Sequence, residues 1–373
     1  MLTAALFIAD TNMAGLLRRL AGESNEFAIG SIVELTTVGY AVARTLSTAM
    51  PDVILMEMTD LDRDLPQAAK IHQQAPLVPL VGLASRDIQL ALSRSASSDF
   101  TSLVVWPFTA TELEQAISGA IHKLHGGIHE NLVAFVPGKA GSGASTVVLH
   151  TALIVAHELK SRVLVIEGDL HSGLLSEMLG VKPKLSIRDV LAEASRIDNM
   201  GWQGFVTAVG GVDFLLTKPE VKTPVPSWAH YFQMLHFAAE KYDLVMADLP
   251  EVINPATAEI VRTARAVYVV STPEIASLQL SKQRCEELHN WGVERGRIQA
   301  LLNRGHKSDI AAPEAAQILG CPVAATFPND YRTLKRATTD GGLLDKRSDL
   351  GAAYLKFSRM LTGAEVEKKS WFR

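Results

Sequence analysis

A chain of 373 residues exceeds one ordinary domain and is long enough for two, each able to bury its own core. Apolar residues make up 47% and charged residues 20%, which excludes general disorder and fibrous repeats. The formal net charge is −4; residues 1–127 hold 8 basic and 13 acidic side chains and the remainder 28 and 27. Neither part has the positive bias of a nucleic-acid-binding domain, which disfavours general electrostatic DNA binding while leaving room for a local patch. Cys285 and Cys321 are too few for a disulfide framework or a four-thiolate metal site, and each reads as a small apolar filler in a reducing compartment. No apolar run approaches the roughly 18 residues that cross a bilayer. The opening LTAALFIAD runs straight into Asp10 without a basic leader, so it reads as a buried strand and not a signal peptide. A soluble cytoplasmic protein is expected.

In chain order, Leu2–Ala9 is the first strand candidate, and Asp10 and Asn12 start a helix carrying Leu16, Leu17 and Leu20. Further strands are predicted at Ile32–Thr37, at Val53–Met58 after the Pro51-Asp52 turn, at Leu77–Leu83 and at Leu103–Val105. The helix Glu112–Leu124 gathers Leu113, Ala116, Ile117, Ile121 and Leu124 on one face and stops at Gly126-Gly127. Five strands separated by helices predict a doubly wound parallel sheet over residues 1–127. The alternation restarts at residue 131. Strands at Leu132–Val136, Val163–Glu167, Asp213–Leu216, Leu244–Ala247, Ala266–Val270 and Ile298–Leu302, with a helix at Ser145–Leu159, predict a second, larger α/β domain over 131–373. No internal repeat or low-complexity segment interrupts it.

Between a strand and a helix stands Gly138-Lys139-Ala140-Gly141-Ser142-Gly143-Ala144-Ser145-Thr146. Glycines in that position let backbone N–H groups turn onto phosphate oxygens at a helix N-terminus. Against G-x-x-x-x-G-K-[ST] the glycines and Ser145 fit, but Ala144 stands where the lysine belongs. A ligand-free glycine-rich turn is the plain alternative. Against it, one strand ends in Glu167-Gly168-Asp169 and another in Asp248-Leu249-Pro250, which puts carboxylates at the edge of a parallel sheet where ligands bind.

The loop resembles the deviant phosphate loop (K-G-G-x-G-K-[ST]) of the ParA/MinD superfamily, with Lys139 as its early lysine. The resemblance implies that Lys139 reaches across an ATP-sandwiched dimer and that Asp169 orients the attacking water. It likewise assigns Ser145 and Asp248 to Mg²⁺, Asn303-Arg304 to the adenine, and Pro328-Asn329-Asp330 to a loop closing over the base. Within the superfamily the chain is similar to the CpaE/TadZ group of Tad pilus assembly proteins. The points of similarity are Gly143–Thr146, Leu185–Leu191, Asp248–Pro250, and Phe327–Tyr331 through Gly341–Leu344. This implies a homodimeric, ATP-dependent factor that recruits pilus components, peripheral at the inner face of the membrane or at the pole. Without a lysine at residue 144 a charge-assisted hydrogen bond of about 1.5–3 kcal/mol is lost, so nucleotide binding with slow or absent hydrolysis is expected.

The CpaE/TadZ group also carries an N-terminal receiver-like domain, and residues 1–127 resemble a response-regulator receiver stripped of its chemistry. Asp10 is followed by Thr11 where an acidic pair is needed, Glu57 stands at the phosphorylated position, and Trp106-Pro107-Phe108 replaces Lys-Pro-Phe. Ser85 is the candidate hydroxyl. A docking or dimerising module is expected. His122, His125 and His129 read as surface residues at a helix end and not as a metal cluster. The tail Glu367–Arg373 reads as frayed or, alternatively, as a basic–aromatic contact for a membrane or the pilus machinery. The reading set against the pilus factor is a ParA/MinD-type ATPase cycling on DNA or membrane; a scaffold with a vestigial nucleotide site is the third.

Overall fold

A computed structural model describes residues 2–9, 11–24, 27–35, 51–76, 78–92, 99–194, 197, 199–218, 226, 228–254, 257–306, 309–339 and 343–364. Asp10, Leu77, Gly341, Gly342 and the tail 366–373 lie outside the described residues. The chain divides into two compact units, Met1–Gly127 and Ile128–Arg373.

The first unit is a five-stranded parallel sheet of β1 (Leu2–Ile8), β2 (Phe27–Glu34), β3 (Val53–Met58), β4 (Leu80–Ala84) and β5 (Ser102–Val105). Their order is β2-β1-β3-β4-β5, the flavodoxin-like arrangement. Two strands sit away from their predicted places. The second is Phe27–Glu34 and not Ile32–Thr37, pairing with β1 through a register shift between Ala4 and Ala5. The fourth begins after Pro79, whose carbonyl accepts the Ile54 N–H. Every residue of β3 is buried, as a central strand covered on both faces requires. The helix Ala110–His125 opens on a Thr109–Glu112 capping box, two residues before its first predicted position.

The second unit is an eight-stranded sheet. It comprises β6 (His129–Pro137), β7 (Val163–Glu167), β8 (Thr207–Val209), β9 (Val212–Leu215), β10 (Leu244–Asp248), β11 (Ala264–Ser271), β12 (Ile298–Gly305) and β13 (Val323–Pro328). The order is β13-β12-β11-β6-β10-β7-β9-β8, parallel except for the β8–β9 pair. The short edge strand β8 and the strand β13 were not foreseen: one has three residues and the other is half-exposed, so neither makes a clear apolar run.

Side-chain alternation sorts the core into two layers. Leu132, Ala134 and Val136 of β6, with Leu164, Ile166, Val245 and Ala247, face a layer that includes Trp202, Tyr231, Met234 and Leu288. Val133 and Phe135, with Val163, Val165, Leu244 and Met246, face the helix Ala144–Glu158 and the last helix, Asp349–Thr362. That last helix packs Leu350, Tyr354, Phe357 and Leu361, with Tyr354 stacked 4.3 Å from Phe327. Ala353 and Leu355 are partly buried against the same core, and Met360 is exposed. Helix Ala144–Glu158 buries Val147, Val148, Leu149, Ala152, Leu153, Ile154 and Val155, each large side chain contributing roughly 1.5–3 kcal/mol. This burial fixes the loop at its N-terminus against the sheet. Among the described residues no helix is long and apolar enough to cross a membrane.

Candidate functional site

The sheet order makes the site. β6 lies between β11 and β10, and β10 between β6 and β7, so three strands that are distant in sequence end at one edge. Asp248 pairs in register with Phe135 on one side and with Glu167 on the other. The phosphate-loop candidate leaves β6 at this edge, beside the position where winding reverses, the usual ligand-binding place in an open α/β sheet.

The loop is held from outside. The Gly138 N–H donates to the Val270 carbonyl (2.8 Å), and a Cβ on Gly138 would lie 1.9 Å from Ser281 Oγ. Gly143, the residue before the helix, has φ +92° and faces Asn303, whose Nδ2 would be 2.3 Å from an added Cβ. Asn303 Nδ2 donates to the Ser142 carbonyl at 2.9 Å, and Asn303 is buried. The loop therefore requires glycine at 138 for space and at 143 for space as well as for dihedral angle. Arg304 itself has a positive φ of 60°, its N–H donating to Asn303 Oδ1.

The carboxylates divide into different duties. Glu167 is fully buried and accepts from the Leu175 N–H, the Thr217 N–H and Thr217 Oγ1, each at 2.7 Å. It pins the following loop to the end of β9. Asp169 Oδ1 accepts from the His171 and Ser172 N–H groups at 3.0 and 2.8 Å, which shapes its own turn, and Asp169 lines the cavity described below. Asp248 is buried beside the Ser145 hydroxyl. Burial, opposed by the Ser145 hydrogen bond and reinforced by Glu167 and Asp169, pushes its carboxyl up to about 7. A divalent cation is the natural partner for a carboxyl so placed.

A cavity of about 460 Å³ brings together Ala140, Gly141, Ser142, Gly143, Ala144, Ser145, Thr146, Asp169, Asp248 and Arg304. A second cavity, about 400 Å³, is lined by Thr146, Asn303, Arg304, Pro328, Asn329, Asp330, Tyr331, Leu334, Leu350 and Tyr354. Thr146 and Arg304 line both, so the loop edge and the apolar slot share a wall. Leu334, Leu350 and Tyr354 are additions of the structure; the apolar spacing of the last helix is a signal for Leu350 and Tyr354, while Leu334 stands on the preceding helix, Tyr331–Thr339. The residues fit a magnesium nucleotide: a glycine loop, a buried Ser142 Oγ with no partner in the protein, a hydroxyl bonded to a buried carboxyl, and a half-apolar slot alongside.

Three of the expected site residues have protein partners of their own. Asp330 spends its carboxylate capping the helix Tyr331–Thr339, accepting from Thr333 N–H (3.0 Å) and Thr333 Oγ1 (2.5 Å). Asn329 donates through its N–H to the Gly305 carbonyl and contacts His306 Nε2 at 2.9 Å. Lys139 Nζ lies 3.4 Å from Glu274 Oε2 in an exposed pair, a contact worth little and readily released. In the first unit, the buried Glu57 accepts the Ala9 N–H at 2.7 Å, while Ser85 Oγ accepts the Ile88 N–H at a helix start. Trp106 is exposed, its ring 5.3 Å from Phe108 and edge-on to it. His122 Nδ1 contacts the Ser118 carbonyl, and the His129 ring lies tilted 6.3 Å from that of His236, with burial lowering its pKa. Among the described residues no group of three or more metal-type side chains forms.

No family model matches the chain. In sequence it is 24% identical over 246 residues, 63% of this chain and 89% of the other, to a protein of Emiliania huxleyi assigned as septum site-determining protein MinD. In structure it resembles a ParA family ATPase from Chlorobium tepidum TLS, with a TM-score of 0.56, 20% identity, and coverage of 61% of this chain and 98% of that one. It also resembles the MinC:MinD cell division protein complex of Aquifex aeolicus, with a TM-score of 0.53, 18% identity, and coverage of 63% and 97%. The chain thus contains the mostly parallel α/β fold of ParA/MinD P-loop ATPases.

Proposed function

We propose that this ParA/MinD-type chain binds Mg-ATP, dimerises in response, and serves as a localisation and assembly factor for a Tad-type pilus in the manner of the CpaE/TadZ group. The observation that carries the nucleotide part is the shared wall of the two cavities, with the loop, Ser145 and Asp248 on one side and the Asn303–Arg304 slot on the other. On this reading Gly138–Thr146 receive the phosphates, Ser145 and Asp248 hold the magnesium, and Asp169 positions a water. Asn303, Arg304, Pro328 and Asn329 border the base, and Asp330 shapes that border by capping its helix. Bound magnesium neutralises phosphate charge and polarises the γ-phosphoryl group. Lys139, released from Glu274, supplies a cation from its own or the partner chain.

Ala144 makes hydrolysis slow or absent, so occupancy and not turnover carries the signal. Residues 1–127 act as a docking or dimerising module: the Glu57 carboxylate is taken by a backbone N–H, and an exposed tryptophan follows β5 where a receiver needs lysine. The pilus role and the peripheral membrane or polar placement rest on the CpaE/TadZ motifs and on the likeness to MinD.

The test is light-scattering mass after gel filtration without nucleotide, with Mg-ADP and with Mg-ATP, for wild type and Lys139→Ala. A dimer formed only with Mg-ATP and lost in the variant is expected. An oligomer indifferent to nucleotide, with no ATP retained, identifies a scaffold instead. One observation favours the cycling-ATPase reading: the helix Tyr331–Thr339 exposes Arg332, Lys335 and Arg336 together, a local basic face. That reading requires DNA or anionic vesicles to accelerate turnover several-fold, and an unstimulated rate rejects it.

A further inference from the structure

Cys285 and Cys321 are 36 residues apart in sequence and were read as two unrelated fillers, yet their Sγ atoms lie 3.7 Å from each other. Both thiols are free. Cys285 is on the helix Ile275–Asn290, on the face that also carries Ser281 against the phosphate loop and Leu288 in the core. Cys321 follows Gly320, the left-handed residue (φ +72°) that ends the helix Ala312–Leu319. The next residue, Pro322, is fixed to β12 by the Ala300 N–H, which donates to its carbonyl at 2.8 Å. Both cysteines are therefore held by regular structure, and rotation about their side-chain bonds is what separates a 3.7 Å contact from an S–S bond of about 2.0 Å.

We propose that Cys285 and Cys321 form a thiol–disulfide pair, a modification site that reacts with hydroperoxides or low-molecular-weight disulfides. The surroundings select this chemistry over metal binding. Cys321 packs against an apolar cluster of Leu278, Ala300, Leu302, Ala315 and Leu319, and among the described residues no third metal-type side chain joins the pair. Roles follow from exposure. Cys321 is partly exposed and meets the oxidant first; Cys285 is buried, with Cys321 Sγ 3.7 Å away. The contact with Cys321 and then burial push the Cys285 thiol up, and the same contact holds Cys321 below the ordinary thiol value, so the outer sulfur ionises first.

With a hydroperoxide, the Cys321 thiolate attacks the O–O bond, taking one oxygen as a sulfenic acid while the other leaves as water or alcohol. The Cys285 sulfur then attacks Cys321 Sγ, expelling the sulfenic oxygen as water; the two thiols have lost two electrons and two protons, and the peroxide has been reduced. With glutathione disulfide the same order runs through a mixed disulfide at Cys321, and two equivalents of glutathione are released.

The experiment is intact-mass and non-reducing peptide analysis of the full reduced chain after stoichiometric hydrogen peroxide and, separately, glutathione disulfide. A loss of about 2 Da, a peptide cross-linked through residues 285 and 321, and reversal by dithiothreitol are expected. Cys285→Ser should strand a sulfenic acid at residue 321 that dimedone traps; Cys321→Ser should slow reaction at Cys285 at least ~tenfold, since a buried thiol is shielded. Because the wild-type chain gives the primary result, a variant that fails to fold does not decide the matter. Independent adducts on both cysteines, interchain disulfides, or a cross-link that forms only in urea would each overturn the proposal.

Discussion

Asp248 shows what burial beside two other carboxylates does to a single carboxyl at a strand end. Its folded-state pKa of about 7 exceeds the roughly 3.9 of an unfolded aspartate, so between those values the folded chain holds an extra proton. Stability of the nucleotide-free protein therefore falls as pH rises from about 4 to about 7 and levels off above. Asp248→Asn removes this penalty, about 4 kcal/mol at most, and should raise Tm at pH 8 while leaving the two proteins closely matched near pH 4. Thermal melts across that range check it; parallel curves would show that the carboxyl is not strained. Ala144 supports a second expectation at this scale. It lines the cavity shared with Ser145 and Asp248, so on the proposed function Ala144→Lys should strengthen binding of a fluorescent ATP analogue by roughly ten- to a hundredfold, read by titration in Mg²⁺.

At the scale of elements, the loop and the end of β12 form one unit. Gly143→Ala would force a non-glycine residue to φ +92° and drive its Cβ into Asn303 Nδ2, breaking the bond from Asn303 to the Ser142 carbonyl. A loss of about 1–3 kcal/mol in stability together with loss of nucleotide binding is expected. Gly363→Ala, at φ +66° with open space around it, is the control: it should cost stability with nucleotide affinity intact. Calorimetry paired with nucleotide titration separates the two, and equal affinities in both variants would show that Asn303 does not shape the loop. The Gly138–Ser281 approach belongs to the same assembly, because it lets the helix Ile275–Asn290 support the loop from the other side.

For the whole molecule, the division at residue 127 has a physical basis in separate cores. The first unit closes its own around Phe7, Ile54, Met56, Ile71 and Leu80, and the second builds a layer on each face of its sheet. Residues 128–373 should accordingly fold alone and bind nucleotide with affinity within about threefold of the full chain, a difference under 1 kcal/mol. Circular dichroism and titration of the truncated protein test this. A truncated chain that folds but loses nucleotide would place part of the site in residues 1–127.

The sequence alone determined the elements that periodicity and punctuation define: the apolar strands β3, β7 and β10, the helix behind the glycine loop, and the presence of carboxylates at strand ends. These are legible because strand-end chemistry sits within a few residues of the apolar run that carries it. The second strand, placed five residues late, and the antiparallel edge β8 were not, because short or half-exposed strands carry no alternation to read. Only the tertiary structure decided which carboxylate does what. Glu167 and Asp169 differ by two residues, yet sheet register buries one as a clamp on Thr217 and leaves the other at the cavity. It also decided that Lys139 pairs with Glu274 and that two cysteines meet. Such contacts join segments far apart in the chain, and local sequence has no term for them; the order in which strands assemble does.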